Sequence, residues 1–270
     1  MGLMRRDASS FFATVVVVGL LLSFTSLYVF SAAVGAQGLR WANFVGTPMG
    51  ALACTGLCFV LWRSFTKGEV LRRVFLLLGI GLAMWTVAEF IYAYYDLTQA
   101  ELPLPSLADV FWIPAYGPLF AALYIRFNSL RITPPFWQVA LLALGVIASG
   151  ALSLIFVIIP NAAASVGDPI SIALSILYPV GDMLLVLGVG LVVMVLSGGE
   201  LSRGWLVTAL GFLMIAVSDS LFYYGIATGL YNSDLIPVNL VTATSDILYF
   251  GGYVVVAFGL FTQARVHRAM

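Results

Sequence analysis

The chain has 270 residues, of which 62% are hydrophobic and only 9% are charged. Soluble domains carry about 25% charged residues, so this composition predicts an integral membrane protein with no room for a sizeable soluble domain. The formal net charge is zero, which gives no support to a nucleic-acid partner.

Long apolar runs along the chain predict an all-α integral membrane fold with eight transmembrane helices. The predicted helices cover residues 11–33, 45–64, 71–95, 107–127, 136–159, 170–196, 204–229 and 238–264. Short connections that contain Gly, Pro, Asn or charged residues separate them, beginning with a first loop at 37–43. None of these connections resembles a domain linker, so we expect one polytopic membrane domain over residues 1–270.

The basic residues predict the orientation of the chain in the membrane, because cytoplasmic loops are enriched in Lys and Arg. If the N-terminus is cytoplasmic, only Arg40 among the twelve basic residues falls on the opposite side. That side instead collects Asp96, Glu101, Asp168 and Asp234. The asymmetry predicts an inner (plasma) membrane protein with both termini in the cytoplasm.

Five acids lie inside the predicted spans, at Glu89, Asp109, Asp182, Asp219 and Asp246. Acids in apolar helices are costly and usually face a bundle interior or a wet cavity. Several aromatic residues share a helix face or a depth with them, and together they form the predicted ligand-binding set. These aromatic residues are Trp85, Tyr92, Trp112, Tyr116, Tyr178, Tyr249 and Tyr253.

An internal repeat connects the third and fourth predicted helices with the seventh and eighth. The segment from Arg73 aligns without gaps with the segment from Arg203, and Asp109 aligns with Asp246. The matched positions include Gly81 with Gly211, Glu89 with Asp219, Tyr92 with Phe222, Trp112 with Tyr249 and Tyr116 with Tyr253. The repeat predicts two parallel four-helix halves, at about 11–127 and 136–265, related by an axis along the membrane normal.

Three interpretations of the acids remain open at this point. The acids are structural groups held by hydroxyls and backbone, or they line an outward-facing pocket for a small cationic or polar ligand, or a carboxyl pair performs acid–base chemistry on a lipid. We expect no metal and no cofactor, because the single histidine is His267 near the C-terminus and no predicted span contains a lysine. We expect no catalytic residue either, since no nucleophile motif is present.

Several short motifs occur in an order that resembles a known family. They are W-x3-E from Trp85, P-x-P-S-x2-D from Pro103 with Tyr116 after it, Y-P-x2-D from Tyr178, the pair Ser218–Asp219, and S-D-x2-Y-x3-Y from Ser245. Their order resembles the polytopic N-terminal sensor region of bacterial diguanylate cyclases and phosphodiesterases. The resemblance implies a bacterial membrane sensor domain that passes a signal to a cytoplasmic output partner, and oligomers are compatible with it.

The chain departs from that family because it contains no GGDEF or EAL output sequence. We therefore expect a relative that acts through a separate partner, or one part of a longer signalling protein. A second resemblance links GFLMIAVSDSL, from Gly211, to the eight-span lysoplasmalogenases, and it implies a lipid-hydrolysing membrane enzyme. The parallel repeat is also typical of small-solute transporters, so both alternatives accompany the sensor hypothesis.

Overall fold

The structure is a computed structural model that describes residues 2–98, 105–164, 168–196, 200–232 and 234–267. Within these ranges the chain forms helices and connecting turns, and no strand. The helices are α1 (Gly2–Val29), α2 (Ser31–Ser64), α3 (Val70–Thr98), α4 (Asp109–Ser129), α5 (Phe136–Ala164), α6 (Pro169–Val195), α7 (Glu200–Thr228) and α8 (Leu240–His267).

All eight of these helices are long and apolar enough to cross a membrane. The predicted number of helices able to span a membrane is therefore confirmed within the described residues, and these helices support a multi-pass membrane protein associated with a lipid bilayer. Helix α5 contains a π-helical turn at Leu154–Ile158. The turn precedes Pro160, whose missing N–H and bulky ring disturb the regular ladder of helical hydrogen bonds.

The predicted first loop at 37–43 is wrong, because these residues are helical and belong to α2. Helix α2 begins at Ser31, and the break in its backbone lies at Gly35, where φ is +74°. Glycine adopts this left-handed conformation at little cost, so the chain bends there and continues as a helix. Residues 37–43 include Gln, Leu, Arg and Ala, all of which have good helix propensity.

The helices pack as a bundle in which α3 lies against α2 and α4, and α7 lies against α6 and α8. Further contacts join α2 to α8 and α4 to α6, while α1 packs on α8 and α5 packs mainly on α6. The largest buried side chains of the core include Phe75, Leu82, Leu119, Trp205 and Tyr253. Helix α5 lies at the edge, and most of its large apolar side chains remain exposed.

Two glycines allow neighbouring helices to approach closely at corresponding places in the sequence repeat. A Cβ on Gly81 of α3 would lie 2.4 Å from Leu119 and 3.1 Å from the carbonyl oxygen of Ala115, both in α4. A Cβ on Gly211 of α7 would lie 2.6 Å from Val256 and 2.7 Å from the carbonyl oxygen of Gly252, both in α8. The two helix pairs therefore make equivalent contacts at aligned residues.

The two ends of the bundle differ in charge. We call the end at which α1, α3, α5 and α7 finish the acidic end, because it carries Asp96, Asp168 and Asp234. The opposite end, which we call the basic end, collects most of the described cations, at Arg63, Lys67, Arg72, Arg73, Arg126, Arg131, Arg203 and Arg265. Arg40 is the exception, since it lies at the acidic end and forms an ion pair with Asp234.

Candidate functional site: an acidic and aromatic cavity

A cavity of about 110 Å³ lies between α2, α3, α4, α6, α7 and α8, toward the acidic end. Five carboxyl groups contribute to its walls, from Glu89, Asp96, Asp109, Asp219 and Asp246. Aromatic residues make up most of the other lining residues, and no Lys, Arg or His is among the described residues that line the cavity. We call this space the acidic cavity.

Glu89 is the least exposed acid of the cavity, at only 3% exposure. Its Oε1 accepts hydrogen bonds from Trp112 Nε1 at 3.2 Å, from the Tyr249 hydroxyl at 2.6 Å and from the Tyr253 hydroxyl at 2.8 Å. These donors come from α4 and α8, so one carboxyl of α3 joins three helices. All three bonds go to Oε1, and Oε2 takes none of them.

Asp109 begins α4 and has two kinds of partner. Its Oδ2 accepts from the backbone N–H of Ser106 at 2.6 Å and from the Ser106 hydroxyl at 3.1 Å, an arrangement related to a helix capping box. Its Oδ1 accepts a hydrogen bond from the Tyr178 hydroxyl of α6. Asp109 therefore has a local structural role at the start of a helix as well as a place in the wall of the acidic cavity.

Asp246 occupies the corresponding place near the start of α8. Its Oδ2 accepts from the Tyr28 hydroxyl of α1 at 2.7 Å and from Asn43 Nδ2 of α2 at 3.5 Å. Its Oδ1 accepts from the Tyr231 hydroxyl at 2.8 Å. Asn43 also donates to the Tyr28 hydroxyl at 2.9 Å, so these groups form one connected network at the rim of the cavity.

Asp182 does not line the acidic cavity, contrary to the expectation that all five acids share one site. Its Oδ1 accepts from the Tyr116 hydroxyl at 2.5 Å, and Tyr116, unlike Asp182, lines the cavity. Asp182 lies beside Asp219, the cavity acid of α7. Pro179, one turn earlier, and Gly181, packed on the Tyr116 ring, set this position.

The aromatic rings form a continuous wall around the acids. The Trp112 ring lies 5.4 Å from Tyr92 and 6.4 Å from Tyr178, between ring centroids. Tyr92 also contacts Phe222 at 6.4 Å, and these two residues occupy aligned positions in the sequence repeat. The buried Tyr92 hydroxyl has no hydrogen-bond partner among the described residues. The wall thus combines ring faces with a free hydroxyl.

The cavity is closed toward the basic end. Trp85 forms part of its floor and contacts the rings of Tyr116, Phe212 and Tyr253 edge-on, at centroid distances of 5.6, 6.2 and 6.3 Å. Below this layer the core is apolar and fully packed, with Leu82 and Leu119 at 0% exposure. Among the described residues, this packing leaves no opening of the cavity toward the basic end.

The structure brings most of the predicted site residues together. Those in the cavity wall are Trp85, Glu89, Tyr92, Asp109, Trp112, Tyr116, Tyr178, Asp219, Asp246 and Tyr249. Tyr253 does not line the cavity but bonds to Glu89, and Asp182 lies behind Tyr116.

The residues of this region that the predicted ligand-binding set lacks include Tyr28, Asn43, Asp96, Tyr223 and Tyr231. Asp96 was expected in a loop because the predicted third helix ended at 95, whereas α3 continues to Thr98. Tyr231 falls in the connection between the predicted helices 204–229 and 238–264, yet it bonds to Asp246. Aromatic richness could have signalled the three tyrosines, and Asp96 is an acid one residue beyond the predicted end of the third helix, but no local pattern marks Asn43.

The carboxyl groups do not form a metal centre in the described residues, where no group of three or more His, Cys, Asp or Glu side chains is placed to hold an ion. The acids are instead spread around the cavity, and each of Glu89, Asp109 and Asp246 already accepts hydrogen bonds from aromatic side chains. Such an arrangement suits a larger cation, which contacts ring faces as well as negative charge.

Comparison of the chain with protein-family models, with curated proteins and with solved structures found no match.

Proposed function

We propose that this chain is a membrane sensory module that binds a small organic cation in the acidic cavity and signals to a partner at the basic end. The main support is that five carboxyl groups and a wall of aromatic rings line the cavity, whereas no Lys, Arg or His does so among the described residues. Ring faces attract ammonium groups, most strongly where water is displaced. The cavity of about 110 Å³ favours a ligand well below drug size.

Trp85 and the packed layer below it block the acidic cavity toward the basic end, so this conformation contains no open channel across the membrane. An alternating-access transporter would need a second conformation, whereas ligand binding by a receptor needs only the cavity described above. Flux of a radiolabelled ammonium compound into proteoliposomes would favour the transporter instead.

Helix α8 is the best candidate for carrying the signal. Tyr249 and Tyr253 bond to Glu89 near the cavity, and the same helix continues to His267 at the basic end. There the His267 ring stacks on Phe65, after the end of α2, at a centroid distance of 4.0 Å. A ligand that draws Glu89 away from the two tyrosines would change how α8 sits against α2 and α3. This coupling needs a cytoplasmic partner, which the family resemblance also implies.

We also propose that the protein lies in the inner membrane with both termini in the cytoplasm, because the basic end of the bundle would then face the cytoplasm. We further propose that the bundle consists of two parallel four-helix repeats. The matched contacts of Gly81 and Gly211 and the ring contact between Tyr92 and Phe222 support this repeat. Reporter fusions at the two termini should both report the cytoplasm, and opposite locations would reject the topology.

Substitution of Glu89 by Gln tests the proposal directly, because it removes one negative charge and keeps the shape of the side chain. At about 4 Å and an effective dielectric constant of about 20, a charge pair contributes about 4 kcal/mol. We therefore expect Glu89→Gln to weaken binding of an ammonium ligand about 100-fold or more. The control is Glu69→Gln, which alters a carboxyl group that bonds to Thr66 before α3, far from the cavity, and should leave the affinity unchanged.

One observation favours a lipid-hydrolysing enzyme as the second candidate. Asp182 and Asp219 are neighbouring carboxyl groups, and such pairs serve as general acid and base in hydrolases. Incubation of the purified protein with lysoplasmalogen distinguishes the two functions. Turnover that is abolished by Asp219→Asn would support the enzyme, and no turnover supports the sensory module.

A further inference from the structure

A second and larger space lies at the side of the bundle, between α5, α6 and α7, with a volume of about 660 Å³. We call it the lateral groove. Its α5 wall extends from residue 141 to residue 157, which corresponds to about 24 Å at 1.5 Å per residue. The groove therefore covers most of the roughly 30 Å thickness of a bilayer's hydrocarbon core.

The lateral groove is mostly apolar, with Ser149, Ser153 and Ser220 among its lining residues, and it is accessible from the lipid. Its lining is dominated by Leu, Val and aromatic side chains. Leu141, Leu152 and Phe156 belong to this lining and are 59%, 57% and 50% exposed. Because α5 to α7 are membrane-crossing helices, hydrocarbon rather than water surrounds these side chains. A flexible alkyl chain matches both the shape and the chemistry of the groove.

One buried acid also lines the groove. Asp182 is 4% exposed and lies halfway along α6, thirteen residues from Pro169 and thirteen from Val195. Its Oδ1 is taken by Tyr116, but its Oδ2 has no hydrogen-bond partner among the described residues. A proton shared with Asp219 would occupy one acceptor position, and a carboxyl oxygen offers two.

The depth of Asp182 restricts the kind of ligand that can reach it. Phospholipid head groups remain in the interfacial region outside the hydrocarbon core, so they cannot approach the middle of α6. An uncharged, single-chain molecule can place a hydroxyl there. A hydroxyl group also suits either state of the acid, because it donates to a carboxylate and accepts from a protonated carboxyl.

We propose that the lateral groove binds a long-chain alcohol or a similar hydroxylated amphiphile, with its hydroxyl on Asp182 and its alkyl chain along α5. The site is distinct from the acidic cavity, because Asp182 lines the groove and not that cavity. It requires binding only, and no bond is made or broken.

The test uses the full chain in phosphatidylcholine nanodiscs and hexadecanol that carries a photoreactive diazirine on its alkyl chain. Mass spectrometry after irradiation should locate the label on peptides of α5, α6 and α7. Unlabelled hexadecanol should compete about tenfold better than hexadecane, because hexadecane lacks the hydrogen bond to the acid. Even labelling of all lipid-facing helices, or equal competition by hexadecane, would overturn the proposal.

A groove-filling variant provides a second measurement that does not alter the acid. Gly145 lines the groove, and a Cβ at this position would meet nothing within 4 Å. Gly145→Phe should therefore fold normally and reduce labelling at least about tenfold. The matched control is Gly117→Phe in α4, where a Cβ also meets nothing within 4 Å but which lies outside the groove. Unchanged labelling in Gly145→Phe, or a groove occupied by a second copy of the chain in cross-linked dimers, would refute the alcohol site.

Discussion

The hydrogen bond between Glu89 and Tyr253 can be measured by a double-mutant cycle. Tyr253 is 0% exposed, and its hydroxyl lies 2.8 Å from Glu89 Oε1. Tyr253→Phe removes that hydroxyl without changing the ring, and Glu89→Met removes both carboxyl oxygens while keeping a side chain of similar length, so each single variant abolishes the hydrogen bond. Hydrogen bonds to charged groups contribute about 1.5–3 kcal/mol. Trp112 and Tyr249 continue to satisfy Oε1 in the single Tyr253 variant, so we expect a loss of about 1–2 kcal/mol in the free energy of unfolding.

The cycle is completed by the double variant, with unfolding followed by SDS titration in bicelles and detected by tryptophan fluorescence. We expect a coupling energy of about 1–2 kcal/mol between the two positions. The control is Tyr124→Phe in α4, a lipid-facing tyrosine that is 60% exposed, whose change should be within about 0.5 kcal/mol. A coupling energy below about 0.5 kcal/mol, which is typical of sites that do not interact, would refute the three-donor arrangement around Glu89.

Three further perturbations test other parts of the structure. Gly211→Ala should reduce the free energy of unfolding by about 1–3 kcal/mol, because its Cβ would meet the backbone of α8. The control variant Gly117→Ala should be neutral or slightly stabilising. Equal stability of the two variants in SDS titration would contradict the close contact between α7 and α8. The Ser171 hydroxyl and backbone N–H lower the pKa of Asp168, so its stabilising effect on the start of α6 should be present above about pH 4 and lost as the pH falls further. Melting curves of Asp168→Asn should accordingly differ from wild type at pH 7 and converge with it at acid pH, and a constant difference would argue against this cap. Arg40→Gln should alter the free energy of unfolding by less than about 1 kcal/mol, as expected for an exposed ion pair. The same change should speed the association of a cationic ligand, because the positive charge of Arg40 lies one turn before the cavity residue Asn43. Association rates in stopped-flow that do not rise would exclude Arg40 from the entrance of the acidic cavity.

Hydropathy and helix periodicity predicted the spans and the inward direction of the acids because both follow from local physical chemistry. Trp85 and Glu89 share one face of α3 whatever the rest of the chain does, and a carboxyl group that faced lipid would be costly. The first loop was predicted wrongly because a single glycine, Gly35, bends the chain within a run that otherwise favours helix.

The hydrogen-bond partners of the acids could not be predicted, because they come from distant parts of the chain. Tyr28 and Asp246 are separated by 218 positions in the sequence, and no local pattern pairs them. The position of Asp182 behind Tyr116 depends on how α6 is rotated against α4, which the helix pattern alone does not determine. The sequence therefore predicted which residues face inward, and the packing of the helices decided which of them share a cavity.

The binding of a small organic cation is tested most directly by titrating the purified full chain in nanodiscs with choline and with its uncharged analogue 3,3-dimethylbutan-1-ol. The two compounds have nearly the same shape and differ in the positive charge, so isothermal calorimetry isolates the contribution of the carboxyl groups and ring faces. The proposed site predicts saturable binding of choline, at least about 100-fold tighter than that of the analogue and weakened by Glu89→Gln. Equal affinity for the two compounds, or heat that does not saturate for choline and for any other small ammonium compound tested beside it, would contradict the proposed site.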